Sequence, residues 1–161
     1  MMAVAETLHQ TGRAHALSAD LLYRAAVAHA EAEELPDPEL FAFNGTYSLS
    51  IHYLIGLGLE LCLKAAFVAH GGDEDVRFLR NEIGHDLVRA LDLAEDRGFS
   101  SEAPHLREIV QHLRDPYIAH YFRYDRPEAF PLPDIIQVMQ AFETLDNELA
   151  ALLENAERTD L

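Results

Sequence analysis

Residues 47–70 form an almost continuously apolar run, and this run constrains the fold more than any other feature of the chain. A run of this length either crosses a membrane or forms the centre of a protein core. Glu60 and Lys64 lie inside it, and each charged side chain costs roughly 2.5–3.5 kcal/mol at the centre of a bilayer. We therefore expect a buried central helix and no membrane association. Gly56 and Gly58 would let a neighbouring backbone approach this helix closely.

The rest of the chain carries helical periodicity and no alternation typical of strands. Gly12 is expected to break the first turns, Thr46 or Ser48 to cap the central helix, and the tail from Glu154 to fray. A polar linker is expected over residues 73–81. These patterns predict an all-α fold, an antiparallel bundle of four to five helices in a single domain over residues 1–161. The predicted helices span about residues 4–34, 47–70, 84–94, 104–113 and 133–153.

The composition is acidic, with a net charge of -16 at pH 7 and a pI near 4.7. Broad nucleic-acid surfaces draw most of their affinity from lysine and arginine, so any RNA contact must be local. A basic partner protein is equally compatible with the charge, and solubility alone also explains it. The single cysteine, Cys62, excludes an intrachain disulfide and is expected to be a buried thiol. With no secretory signal at its start, the chain is expected to be cytoplasmic.

Two polar pairs interrupt the predicted helices. Glu60 and Lys64 are spaced as an ordinary helical ion pair, but they could also form a polar notch that binds substrate between helices. His85 and Asp86 could be metal ligands, yet adjacent residues point in different directions on a helix, so a helix-capping role is favoured. The sequence has no tight cluster of ligand residues, and neither a metal nor a cofactor is expected.

The stretch from Leu113 to Tyr121 brings an arginine, a carboxylate and a histidine together as Arg114, Asp115 and His120. Arginine offers a planar fork of donors, and histidine can exchange a proton near neutral pH, which together suit phosphodiester chemistry. In one straight helix the two side chains would lie roughly 120° apart. Because proline disfavours a helical conformation at the residue before it, Pro116 is expected to break the helix and start a new one. A two-fold dimer would be another way to bring these residues together.

The segment Arg114-Asp115-Pro116-Tyr117-Ile118-Ala119-His120 resembles the arginine, polar residue, spacer and histidine motif of HEPN domains. The apolar helix with Glu60 and Lys64, the Gly84-His85-Asp86-Leu87 entry and the proline-containing turn before the last helix are similar to that family as well. The resemblance covers about residues 47–153. It implies a dimeric helical domain and, in many members, metal-independent RNA cleavage. Some members are toxins paired with a nucleotidyltransferase-type antitoxin, and others have lost activity and bind partners or ligands.

The resemblance gives each motif residue an expected role. His120 would move a proton, Arg114 would stabilise charge on the phosphate, and Asp115 would orient one of them. Tyr121 and Tyr124 would hydrogen-bond a phosphate or stack on a base, although packing explains both equally well. The proline after the polar residue, and aspartate where asparagine is frequent, depart from the family pattern. Two hypotheses follow: a homodimeric ribonuclease of a toxin–antitoxin or defence system, or a non-catalytic dimeric module that binds a partner protein or a nucleotide.

Overall fold

A computed structural model describes residues 2–119 and 133–159, and within these ranges the regular structure is entirely helical. The all-α prediction is confirmed, although the helices outnumber the four to five expected because two short ones were not foreseen. The helices are α1 (Met2–Ala32), α2 (Pro38–Asn44), α3 (Ser48–Ala69), α4 (Val76–Phe78, which continues as a π-helical turn Leu79–Ile83), α5 (Leu87–Asp96), α6 (Leu106–Ile118) and α7 (Ile135–Thr159).

Helix α3 lies at the centre of the fold, in contact with α1, α2, α5, α6 and α7. By length and composition alone it could cross a membrane, but 78% of its most apolar window is buried by the rest of the protein. The large side chains Ile51, Leu59, Leu63 and Phe67 are among the most deeply buried. The prediction of a buried central helix is therefore confirmed.

Helices α1 and α3 pack closely because glycines meet where they cross. A Cβ atom at Gly58 would lie 3.0 Å from the carbonyl oxygen of Gly12 and 3.1 Å from the Cβ atom of Ala16. A Cβ atom at Gly12 would lie 2.9 Å from Cys62 Sγ. Residue 12 therefore meets residue 62 while residue 16 meets residue 58, so the two helices run antiparallel. Gly12 was expected to break α1, and this prediction is wrong. The close contact with α3 stabilises a helix that Gly alone would weaken by about 1 kcal/mol.

The connections around α3 hold more structure than the sequence suggested. Asp37 caps α2 by accepting a hydrogen bond from the backbone N–H of Leu40 at 3.0 Å. The expected cap of α3 is absent: Tyr47 occupies the N-cap position, and Ser48 Oγ donates to the carbonyl of Gly45 at 2.8 Å. The expected linker at residues 73–81 contains α4 and most of the π-helical turn, started by the cap Asp75.

Helix α6 runs through Pro116 without a break, which corrects the prediction of a new helix there. Proline removes one N–H and crowds the carbonyl four residues earlier, but here this happens in the last turn. Leu113, Pro116 and Tyr117 are buried against the core, and the Ala119 N–H still bonds to the Asp115 carbonyl at 3.0 Å. Packing therefore outweighs the local preference for a break.

Helix α7 begins where the sequence predicted. Asp134 Oδ1 accepts a hydrogen bond from the backbone N–H of Ile136 at 2.7 Å, as expected for a helix that starts after Pro133. The helix continues to Thr159, five residues beyond Glu154, and the predicted fraying stays a prediction.

Candidate functional site

Arg114, on the last turns of α6, is held by two carboxylates. Its Nε and Nη2 donate to Asp86 Oδ1 and Oδ2 at 2.9 and 2.8 Å, which makes a bidentate pair. Its Nη1 donates to Asp115 Oδ1 at 3.0 Å. The Arg114 side chain is 42% exposed. The guanidinium is thus fixed in position while part of it still faces solvent.

Asp86 connects α5 to α6 through two roles. It is the N-cap of α5, where Oδ1 accepts a hydrogen bond from the backbone N–H of Arg89 at 3.1 Å, and it binds Arg114. Partial burial acts to raise the pKa of Asp86, but the hydrogen bonds from Arg114 and the backbone outweigh it and lower this pKa below 3.8. The hydrogen bonds that Arg114 donates to Asp86 also raise the pKa of Arg114. This pair stays ionised at neutral pH.

The charge around Arg114 is negative. Asp86 and Asp115 together outweigh the single guanidinium by one unit, and Asp115 is 77% exposed. An open depression of about 500 Å³ lies beside them between α5 and α6. A guanidinium has five N–H groups. The contacts with the two aspartates use three, which leaves two among the described contacts for a ligand.

A second polar cluster is buried between α3, α6 and the turn before α5, and its centre is Glu60. Glu60 Oε1 accepts from Lys64 Nζ at 2.6 Å. Glu60 Oε2 accepts from Tyr117 Oη at 2.8 Å and from His85 Nδ1 at 2.9 Å. The side chains of Glu60 and Lys64 are only 4% and 7% exposed. The helical ion pair is confirmed, and substrate binding by these two side chains stays a prediction.

His85 is the functional candidate that sequence reasoning missed. It was paired with Asp86 in a capping role, but only Asp86 caps α5. His85 turns instead to Glu60, and its ring meets the Tyr117 ring edge-on with the centroids 6.0 Å apart. Gly84, with φ +62°, sets the chain direction just before it. Glu60 and His85 lie 25 residues apart, so no local pattern could have shown their contact.

The two clusters share a location. Arg114 and Tyr117 are one turn apart on α6, while Asp86 and His85 are neighbours in the turn before α5. Arg114 binds Asp86 on the more exposed side, while Tyr117 and His85 both bind the buried Glu60. These two sets of contacts hold the last turns of α6 in place.

A cleft of about 510 Å³ opens beside the buried cluster, between α1, α3 and the π-helical turn. Its polar lining includes Glu60, Lys64, His85, Arg80 and Thr7, and its walls are mainly apolar. Clefts with apolar walls and a few convergent polar groups are the usual form of a small-molecule site.

Three predicted site residues, His120, Tyr121 and Tyr124, lie outside the described residues. Arg114 and Asp115 contact each other, as the motif suggested, but the main partner of Arg114 is Asp86, which sequence reasoning did not connect with it. Among residues 2–119 and 133–159, no three His, Cys, Asp or Glu side chains are arranged to hold a metal ion.

Comparison with known proteins finds no match to this chain among family models, curated proteins or solved structures. The resemblance to HEPN domains consequently stays a prediction that depends on the motif residues and their surroundings.

Proposed function

We propose that the chain is a HEPN-like endoribonuclease that cleaves RNA without a metal ion as a homodimer, within a toxin–antitoxin or defence system. The observation that carries this proposal is the anchoring of Arg114. A bidentate partner fixes its guanidinium at the end of α6, six residues before His120, and leaves N–H groups for a phosphate. Donors fixed before the substrate arrives stabilise transition-state charge without a reorganisation cost.

In this proposal the roles of Arg114 and Asp86 rest on their contacts, and the roles of His120, Tyr121 and Tyr124 rest on the resemblance to HEPN domains. Arg114 would donate hydrogen bonds to the phosphate oxygens as negative charge develops on them. Asp86 is the positioning residue for Arg114, a role that the motif gave to Asp115. His120 would transfer a proton to or from an oxygen of the scissile phosphodiester. Tyr121 and Tyr124 are proposed to contact the substrate.

The test compares two arginines of the same helix. Total cellular RNA is incubated with the purified protein in chelator, and fragments are resolved on a denaturing gel. We expect Arg114→Ala and His120→Ala to lose cleavage by roughly 100-fold or more, the usual size of an oxyanion-stabilising or proton-transfer contribution. Arg107→Ala is the matched control, because Arg107 lies two turns earlier on α6, is 41% exposed and also binds two carboxylates, Asp92 and Glu95.

Cleavage that persists in chelator and disappears in the Arg114 and His120 variants, but not in the Arg107 variant, would support the proposal. A parent protein that leaves RNA intact, or an Arg114→Ala variant as active as the parent, would refute it.

The second candidate is a non-catalytic dimeric module that binds a protein partner or a nucleotide. The negative charge around Arg114 favours it, because Asp86 and Asp115 already neutralise the guanidinium and would repel RNA. This candidate predicts a stable complex that His120→Ala leaves unchanged. A nucleotidyltransferase-type antitoxin is the partner proposed for the first candidate, and an adjacent reading frame of that type would favour it.

A further inference from the structure

The cleft between α1, α3 and the π-helical turn has a positively charged lining in a protein whose net charge is -16. Two cations, Lys64 and Arg80, line it against one carboxylate, Glu60, so the lining is net positive whether or not His85 is protonated. In four other depressions on the described part of the surface, carboxylates outnumber the lysines and arginines. Among these five depressions, the cleft is therefore the one whose own charges attract an anion.

Lys64 brings spare hydrogen-bond donors to this cleft. Its side chain is only 7% exposed, and Nζ donates to Glu60 Oε1 at 2.6 Å. An ammonium has three N–H groups, so two remain among the described contacts for another acceptor. Glu60 accepts hydrogen bonds from Lys64, Tyr117 and His85, and these donors offset its negative charge. A buried cation needs further hydrogen bonds to compensate for the water it has lost, and a bound anion would provide them.

Arg80 lies near the same polar residues. A Cβ atom at Gly84 would be 3.6 Å from the carbonyl oxygen of Arg80, and the residue after Gly84 is His85, whose Nδ1 is 2.9 Å from Glu60 Oε2. Arg80 is exposed, and its one described hydrogen bond is a long one of 3.4 Å to Asn81. Its guanidinium is thus available to a ligand without the loss of a strong structural contact.

The rest of the cleft wall is mainly apolar and partly uncovered. Val4 and Leu8 of α1 and Leu61 of α3 belong to it. Val76, four residues before Arg80, lines the same cleft and is 70% exposed. The volume of about 510 Å³ lies within the range of about 300–1,000 Å³ that is usual for small-molecule sites. A hydrocarbon chain in the cleft would remove these side chains from water.

We propose that this cleft binds an amphipathic carboxylate, a molecule with one negative head group on an unbranched hydrocarbon chain. Lys64 and Arg80 bind the carboxylate, and the chain lies against Leu61 and Val76. One negative charge balances the one excess positive charge of the lining, whereas a phosphate monoester would bring nearly two. The site requires no RNA and is independent of the proposed nuclease function.

The test on the unmodified protein compares head groups of opposite charge. The purified chain is titrated by calorimetry with decanoate, octanoate and decyltrimethylammonium, each below the concentration at which it forms micelles. The net charge of -16 favours the cationic amphiphile everywhere on the surface, so a preference for the anion can come only from a local site. We expect saturable binding of one decanoate per chain, at least about tenfold tighter than the cation. Octanoate, two methylene groups shorter, should bind roughly tenfold more weakly than decanoate.

Two pairs of variants place the ligand in the cleft. Thr7 and Thr11 are exposed residues one turn apart on α1, and each hydroxyl donates to the carbonyl four residues earlier, at 2.8 and 2.7 Å. Only Thr7 lines the cleft, so Thr7→Trp should fill it and weaken decanoate binding at least about tenfold, while Thr11→Trp should not. Arg80→Gln should weaken binding roughly three- to tenfold. Its control is Arg77→Gln, because Arg77 is an exposed arginine of α4 outside the cleft lining.

Four outcomes would each overturn the proposal: no saturable binding of decanoate, binding of the cation as tight as that of decanoate, equal affinities of Thr7→Trp and Thr11→Trp, or equal affinities of Arg80→Gln and Arg77→Gln. The comparison of head groups uses the parent protein alone, so it decides the question even if a variant fails to fold. No outcome of these titrations depends on RNA cleavage, so the failure of either proposal is distinguishable from the failure of the other.

Discussion

The buried pair of Glu60 and Lys64 gives a quantitative prediction about stability. Both side chains are less than one-tenth exposed, and their charged atoms are 2.6 Å apart. Removal of one partner from a buried ion pair costs about 3–5 kcal/mol, because the other charge stays buried without a counterion. Lys64→Met should therefore lower the free energy of unfolding by that amount.

The same substitution should cost much less once the glutamate is gone. In Glu60→Leu the buried ammonium has already lost its counterion, so a further Lys64→Met change removes a charge that destabilises the protein. Glu60→Leu also removes the acceptor of Tyr117 and His85, and this loss is the same whether or not Lys64 is present. The double-mutant cycle cancels this second contribution. We expect a coupling free energy of at least about 3 kcal/mol between the two positions.

Urea unfolding followed by far-ultraviolet circular dichroism measures all four proteins of the cycle. The control cycle uses Asp20 and Arg24, a pair with the same spacing whose atoms are 2.8 Å apart but whose arginine is 75% exposed. Exposed helical pairs contribute about 0.3–0.5 kcal/mol. A Glu60–Lys64 coupling below 1 kcal/mol, or equal to that of the control, would refute the argument that burial makes this pair strong.

Two further predictions concern other buried positions. Burial lowers the pKa of His52 to about 4, against about 6.5 in an unfolded chain, so the unfolded state binds the proton more readily between these values. Stability should fall by about 3 kcal/mol as the pH drops from 6.5 to 4, and a parallel His52→Leu titration should lack this slope. Gly58→Ala should destabilise the protein by about 1–3 kcal/mol in urea unfolding, because its Cβ would crowd the Gly12 carbonyl at 3.0 Å. An increase in stability, as helix propensity alone predicts, would contradict that packing argument.

The long elements could be predicted from sequence because their signals are local. The apolar run of α3, the buried stripe of Leu106, Ile109 and Val110 on α6, and the start of α7 after Asp134 all follow from periodicity and capping. The errors also have a common cause. Gly12 and Pro116 disfavour helices locally, but in each case burial against another helix outweighs the local preference.

The same contrast between local signals and contacts between helices applies to the candidate site. Its residue types were visible in the sequence: Arg114 and Asp115 by adjacency, and Glu60 and Lys64 by their helical spacing. The sequence did not reveal that Arg114 pairs with Asp86, 28 residues away, or that Glu60 pairs with His85. Neither contact follows from spacing within one element.

Hydrophobic periodicity and helix caps depend only on near neighbours, so the amino-acid sequence was enough to predict helices around one apolar segment. Which charged side chains meet depends on how these helices pack. Helix packing brings the Glu60 carboxylate to His85 and Tyr117, and it brings Asp86 to Arg114. Buried polar groups must find partners, and packing, not spacing along the chain, determines which partners are in reach.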